Sequence, residues 1–293
     1  ITGCGKNYLD LKPDQSQRVP VSISDFQAMM DNTGIMNSFS SHALGIIGAD
    51  EYVVPDNRYS ALPAETDINF MKRAYNWNEI IFTGGEQSTD WGRGYSRILQ
   101  ANIVLDGLKK VSPRQTEINA YNQVKGEALF HRAINYYDLA QLFCEPFNAA
   151  TAGQYPGLPL RMEADVTIKT NRANLAQTYE QISKDLEEAV TLLPDLPKVG
   201  FRPGKAAAFA LLARLNLQLE NYGLAAEFAT KCLGNKKSLL DFNTLNLMAV
   251  FPFPSDGAAN PEILFSASVA NIAPVGPSFM DIEADFLIGF ATN

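Results

Sequence analysis

The stretch Ala210–Leu233, ALLARLNLQLENYGLAAEFATKCL, decides the fold. It reads as two helices joined by the short turn Glu220-Asn221-Tyr222-Gly223. The first, Gly204–Leu219, is rich in Ala and Leu. The second is Leu224–Leu233, with Gly234 placed to end it. Small alanines let two antiparallel helices approach closely. Tyr222 is expected to pack between them, with Ala225, Ala226 and Ala229 facing the partner helix. The pattern is close to a tetratricopeptide unit. One such pair cannot bury its apolar face alone, so several are expected to stack into a solenoid.

The same signal recurs toward the N-terminus. Tyr179, Ile182, Leu186, Ala189, Val190 and Leu193 keep helical spacing, with Asn174 in the cap region and Pro194 as the stop. A linker rich in Pro and Gly, Asp195–Pro203, separates this helix from the next. Trp91, Tyr95, Ile98, Asn102 and Leu105 step 4, 3, 4, 3 along one helical face. Pro113 breaks that run, and a long second helix is expected from about Gln115 to Phe143. The Trp91–Phe143 pair reads as a degenerate second copy. Glu145–Arg161, held by Pro146, Pro156 and Pro159, reads as a structured loop. Ser24 is the expected cap of a first helix with Phe26, Met29 and Met30 on its apolar side. Beyond residue 235 the helical signal fades, and Glu262–Val269 has strand-like composition. The fold class is mainly all-α: a tetratricopeptide-like solenoid of helical pairs, with long irregular loops and minor strand content.

Composition narrows the function classes. At 293 residues the chain can bury a substantial core, and its 46% hydrophobic content fits a folded protein. A net charge of -8 and the absence of any Lys/Arg block argue against nucleic-acid binding. No apolar run is long enough to span a bilayer. Cys144 and Cys232 sit in apolar helical patterns and read as buried free thiols. His42 and His131 are too isolated for a histidine metal site, and no cofactor is expected. Gly84-Gly85 and Gly92-Arg93-Gly94 lack the strand–helix setting of a phosphate loop. Carboxylate pairs such as Asp50/Glu51 and Glu65/Asp67 read as solvated surface acids rather than as a glycosidase pair.

Two stretches carry functional expectations. Ile1-Thr2-Gly3-Cys4 looks like the end of a bacterial lipoprotein signal, which makes Cys4 the expected lipidation site. Signal peptidase removes the residues before such a cysteine, so the numbering is expected to begin inside a precursor. Residues 1–22 then form a tether and residues 23–293 a ligand-binding domain. The second stretch, residues 40–90, is irregular, with short helices expected around Ile68–Arg73 and Trp77–Phe82. Tyr52, Tyr59, Tyr75, Trp77 and, just after the stretch, Trp91 fall within 40 residues, interleaved with Asp50, Arg73, Asn76 and Asn78. Flat aromatic faces beside planar hydrogen-bonding groups suit a neutral sugar. The other reading is that the aromatics fill the core beneath a long loop, and Trp91, on a helical stripe, is read that way. The binding candidates are Asp50, Tyr52, Arg73, Tyr75, Trp77 and Asn78. Tyr75 and Trp77 would stack on sugar faces, and the others would bond hydroxyls.

The chain resembles the SusD/RagB family of Bacteroidota outer-membrane lipoproteins. The likeness rests on Cys4 with Tyr8-Leu9-Asp10 and Pro13, and on Trp91-Gly92-Arg93-Gly94-Tyr95 through Leu105. It continues in Gly126-Glu127-Ala128 through Arg132 and Tyr136-Tyr137-Asp138-Leu139 to Phe143, then Gly157-Leu158-Pro159-Leu160. Tyr179 through Asp185-Leu186 to Pro194, Lys205 through Arg214 to Ala225, and Asn260-Pro261-Glu262-Ile263-Leu264-Phe265-Ser266 complete it. The resemblance implies a non-enzymatic, cell-surface protein anchored by lipid in the outer membrane. Such a protein binds oligosaccharide and acts as a lid on a SusC-type TonB-dependent transporter. The alternatives are the same lid role with an oligopeptide ligand, or a helical-repeat scaffold that only holds partner proteins. Members usually continue past the Glu262–Ser266 segment into a long C-terminal region that supplies part of the pocket, whereas this sequence stops at Asn293.

Overall fold

The computed structural model describes residues 19–38, 43–50, 52–62, 66–246, 248–249, 252–254, 260–268 and 281–282. Cys4, the tether as far as residue 18, His42, Glu51 and Glu65 lie outside them. The described elements run α1 (Ile23–Met30), α2 (Thr33–Met36), α3 (Ala43–Ile47), β1 (Tyr52–Val53), α4 (Asp56–Ala61), α5 (Thr66–Tyr75) and α6 (Thr89–Leu108). They continue with α7 (Ile118–Phe143), β2 (Pro156–Pro159), β3 (Arg172–Asn174), α8 (Leu175–Leu192), α9 (Lys205–Gln218), α10 (Tyr222–Asn235) and β4 (Asp281–Ile282). The helices α6 to α10 pack each on the next, which is the tetratricopeptide-like stack read from the sequence. No described helix is long and apolar enough to cross a membrane.

The central element is α7. Its 26 residues bury Val124, Ala128, Leu129, Phe130, Ala133, Tyr136, Tyr137, Leu139 and Ala140, a set that covers most of its circumference. A helix apolar nearly all round must sit between neighbours. It packs on α6 on one side and α8 on the other, and α1 lies against both α6 and α7. Burying each large side chain contributes roughly 1.5–3 kcal/mol. Close approach has its own requirement: a Cβ on Gly107 would lie 2.2 Å from the Phe26 ring, so glycine lets α1 dock on α6.

The buried charge pair of the stack is hydrogen-bonded. The Arg132 guanidinium on α7 donates to both Asp185 carboxylate oxygens on α8 at 2.7 Å, and Nη1 donates to Asn102 Oδ1 on α6 at 3.0 Å. Gln181 adds a 2.8 Å bond to Asp185. Three helices are therefore cross-linked through one buried charge pair. Asn102 Nδ2 and the Tyr136 hydroxyl both donate to the Arg161 carbonyl, at 2.8 and 2.7 Å, which fixes the loop after β2 to the stack. His131 is fully buried against Phe130 and Phe265. Burial, with Arg97 second, pushes its imidazole down to about 3.

Several local expectations shift. Ser22, not Ser24, caps α1: its hydroxyl accepts from Asp25 N at 3.2 Å while the Asp25 carboxylate accepts from Ser22 N at 3.0 Å. Asn174 caps α8 as read, in a reciprocal pair with Gln177. Residues 77–82 are not helical, because Trp77 has φ 53° and turns the chain away. α10 begins at Tyr222 and runs through Gly234 to Asn235. Only Ala225 and Cys232 of α10 are buried, while Tyr222, Ala226 and Ala229 are exposed. Among the described helices α10 has α9 as its one close neighbour, so just one of its faces is covered. Glu262–Ser268 is not a strand. Leu264 and Phe265 pack on the core, and Ser266 N and Ser268 N donate to Gly200 O and Asn37 O rather than to a ladder. Among the described residues Cys144 and Cys232 are free, Cys232 buried and Cys144 half-buried.

Candidate functional site

The region from α3 to the loop before α6 has a small core of its own. Ile47 and Ala74 are buried at its centre, with Leu44, Met71, Tyr75 and Ile81 against them. On this base the aromatic residues gather. Tyr75 lies between Tyr52, at 5.9 Å between ring centroids, and Tyr59, at 6.0 Å. The row is fixed by its hydroxyls. Tyr52 donates to Ile47 O at 2.8 Å, Tyr75 accepts from Val54 N at 2.9 Å, and Tyr59 accepts from Asn76 Nδ2 at 2.8 Å. The Lys72 ammonium lies 5.4 Å from the Tyr59 ring.

Trp77 behaves differently. It is 79% exposed and follows directly on α5. Trp77 N donates to Ala74 O at 3.1 Å and Asn78 N to Arg73 O at 2.9 Å, the bonds of a Schellman motif. The left-handed position in that motif is ordinarily glycine, because a side chain there costs about 1–2 kcal/mol. A Cβ on Gly48 would lie 3.9 Å from the indole, so the ring rests beside the end of α3.

The six candidates therefore fall into two groups. Asp50, Trp77 and Asn78 are exposed. Tyr52 is buried, Tyr75 is half-buried in the tyrosine row, and Arg73 is held by the loop that follows: its Nε donates to Ile81 O at 2.5 Å and its Nη2 pairs with Glu86. Tyr59, Lys72, Gly48 and Glu86 were not among the candidates. Tyr59 and Lys72 meet only because α4 folds against α5, and no spacing in the chain marks them. Trp91, read as a core residue, packs 4.8 Å from Tyr95 and 5.1 Å from Phe143. Among the described residues no three His, Cys, Asp or Glu side chains gather in a way that could hold a metal ion.

One edge of this region is closed from far along the chain. β1 pairs antiparallel with β4, Tyr52 opposite Ile282 and Val53 opposite Asp281. Arg58 Nη1 reaches Asp281 Oδ1 at 2.8 Å.

Comparisons with known proteins place this architecture. A SusD-like family profile, described as "Starch-binding associating with outer membrane", matches residues 7–217. A SusD-like protein of Formosa agariphila is 30% identical over 156 residues, which are 52% of this chain and 28% of that protein. A solved structure from Bacteroides vulgatus superposes with a TM-score of 0.75 at 22% identity, covering 94% of this chain and 64% of that one. A SusD superfamily structure from Bacteroides thetaiotaomicron gives 0.72 at 21% identity, covering 93% and 62%. This chain thus spans less than two thirds of the length of each of these relatives. The superpositions show the fold, and the profile covers most of the helical stack and all of the aromatic region: the chain belongs to the SusD-like family, whose description is starch binding in association with the outer membrane.

Proposed function

We propose that this protein is a cell-surface glycan-binding protein. It captures oligosaccharide on the surface carried by α3–α5 and presents it, as a lid, to a SusC-type TonB-dependent transporter. Lipid on Cys4 would hold it in the outer membrane, each buried methylene contributing about 0.8 kcal/mol. The protein makes and breaks no covalent bond in this role.

The observation that carries the reading is Trp77, a large apolar ring kept in solvent at a backbone position that disfavours any side chain. A pyranose face offers C–H groups to stack on such a ring, and its hydroxyls suit the exposed Asn78 next in the chain and the exposed Asp50, two residues after Gly48. Tyr75 and Tyr52 support that surface from below through the tyrosine row. A laminarin-binding SusD-like protein shares the fold at a TM-score of 0.54 and 20% identity, covering 73% of this chain and 43% of that one. Laminarin and soluble starch are therefore the first ligands to titrate.

The test is calorimetric titration of wild type and Trp77→Ala with both glycans. Loss of the exposed ring is expected to weaken binding by roughly 1–3 kcal/mol with an unchanged melting temperature. Wild-type affinity in Trp77→Ala would remove the site assignment. Pull-down of the lipidated protein from solubilised outer membranes is expected to bring a large β-barrel with it, and its absence would remove the lid role.

A further inference from the structure

Arg73 fastens the loop that carries Trp77 at three points, through its carbonyl and through its guanidinium. At the start of the loop the Arg73 carbonyl accepts from Asn78 N at 2.9 Å. On the return its guanidinium donates through Nε to Ile81 O at 2.5 Å and through Nη2 to Glu86. Both partners are largely shielded, with side chains 21% and 16% exposed. Glu86 is itself anchored, since the same carboxylate oxygen accepts from Thr83 N at 2.8 Å and Thr83 Oγ1 at 3.3 Å. Glu86 N donates to Thr83 O at 3.1 Å across a turn whose central residues, Gly84 and Gly85, have φ of 61° and 87°. A side chain at either position would be strained. Phe82 stacks on Phe70 of α5 at 5.3 Å, which presses the return strand of the loop onto the helix. Between these anchors Asn76, Trp77, Asn78, Glu79 and Ile80 are all exposed.

From this arrangement we infer that Arg73 and Glu86 are positioning residues. Together they clamp the loop from residue 76 to residue 86 and so fix Trp77 in its left-handed conformation, with the indole beside Gly48. Arg73 acts on the ligand through Trp77 and does not touch it. The guanidinium fork suits the task because its nitrogens leave in fixed directions, one toward a carbonyl and one toward a carboxylate. The binding readout rests on the glycan reading above, so a second readout without ligand accompanies it.

The test is a double-mutant cycle. Soluble starch and laminarin are titrated into wild type, Arg73→Gln, Glu86→Gln and the double variant. Opening either side opens the same clamp. Each single change is expected to weaken binding at least tenfold, and the double variant no further than the weaker single. Arg73→Lys keeps the charge without the fork and is expected to fail as a rescue. Wild-type affinity in Glu86→Gln, or losses that multiply in the double variant, would overturn the clamp. In the ligand-free arm, hydrogen exchange at Asn78 N and Thr83 N is expected to accelerate in Glu86→Gln while α7 amides stay unchanged. Unchanged exchange at both loop amides would likewise overturn it. If Arg73→Gln does not fold, Arg73→Lys, which keeps the charge but loses the fork, takes its place in the cycle. If wild type binds neither glycan, or Trp77→Ala binds as wild type does, the glycan reading fails and the exchange arm still decides the clamp.

Discussion

The stack α6–α9 and the region α3–α5 solve opposite problems. In the stack, Ile98, Leu108, Phe130, Tyr136, Leu175 and Leu186 are almost wholly shielded, and it holds a charge pair inside, Arg132 with Asp185. In the aromatic region a small cluster around Ile47 and Ala74 supports a surface where Trp77 and Ile80 stand in solvent. The stack places its polar chemistry where water is excluded, and the aromatic region places its apolar chemistry where water is present. Each runs against the usual partition, and each needs a compensating device. For the stack the device is the bidentate pairing of Arg132 with Asp185, joined by Asn102 and Gln181. For the loop it is backbone fastening that holds an unfavourable conformation. A scaffold with its own large core can therefore carry an exposed surface whose residues contribute little to global stability.

Three changes would break or sharpen that contrast. The largest effect is expected from Asp185→Leu, which leaves the Arg132 guanidinium buried without its carboxylate. Urea unfolding at pH 7 should show a loss of about 3–5 kcal/mol. Adding Arg132→Met should recover much of it, because the paired apolar replacement removes the stranded charge. A loss below about 1 kcal/mol for Asp185→Leu would erase the distinction between the two regions.

The second effect concerns His131, whose folded value of about 3 lies below the ordinary 6.5 because the ring is buried. The unfolded chain therefore takes up its proton first as pH falls. The contribution is fully present above pH 6.5 and is lost progressively down to about pH 3. Between pH 6.5 and 5 this amounts to about 2 kcal/mol. Glu127 works the other way, since burial raises its carboxyl and stabilises the folded state toward acid. Comparing wild type with His131→Phe cancels the Glu127 contribution, and the difference in unfolding free energy should carry the 2 kcal/mol. Parallel pH profiles for the two proteins would refute it.

The smallest effect uses a repeated motif. Glu220, at φ 60°, ends α9 as Trp77 ends α5, with Asn221 N donating to Asn216 O at 2.8 Å. Glu220→Gly and Trp77→Gly are each expected to raise stability by about 1 kcal/mol, read as a higher melting temperature. Only Trp77→Gly should cost glycan affinity. If Trp77→Gly lowers the melting temperature, the indole is packing rather than display.

What could be read from the sequence follows the same division. The 4, 3, 4, 3 spacing from Trp91 to Leu105, the Asn174 cap and the Pro194 stop were legible because helix period and capping are local. Ser24 reads as the cap in place of Ser22 because both are followed by acceptable apolar positions, and only the Asp25 side chain chooses between them. Tyr222, Ala226 and Ala229 were misplaced because their burial depends on a neighbour beyond α10, which no pattern within α10 reveals. Glu262–Ser268 looked like a strand because docking on a core needs the same apolar residues as pairing does. In the aromatic region the density of Tyr, Trp and Asn was visible. The division of labour was not: Arg73 and Glu86 are joined across 13 residues, a separation that carries no periodic signal.

The pairing of β1 with β4 sets an order of assembly. Residues are made from the N-terminus onward, and Arg58 meets Asp281 across 223 positions. The stack from α6 to α10 joins helices adjacent in the chain and can form as each one emerges. Among the described residues the strand that pairs with Tyr52 is β4, which is complete only once residue 282 has been synthesised. A chain truncated after α10 would keep its stacked helices and leave the edge of β1 without β4.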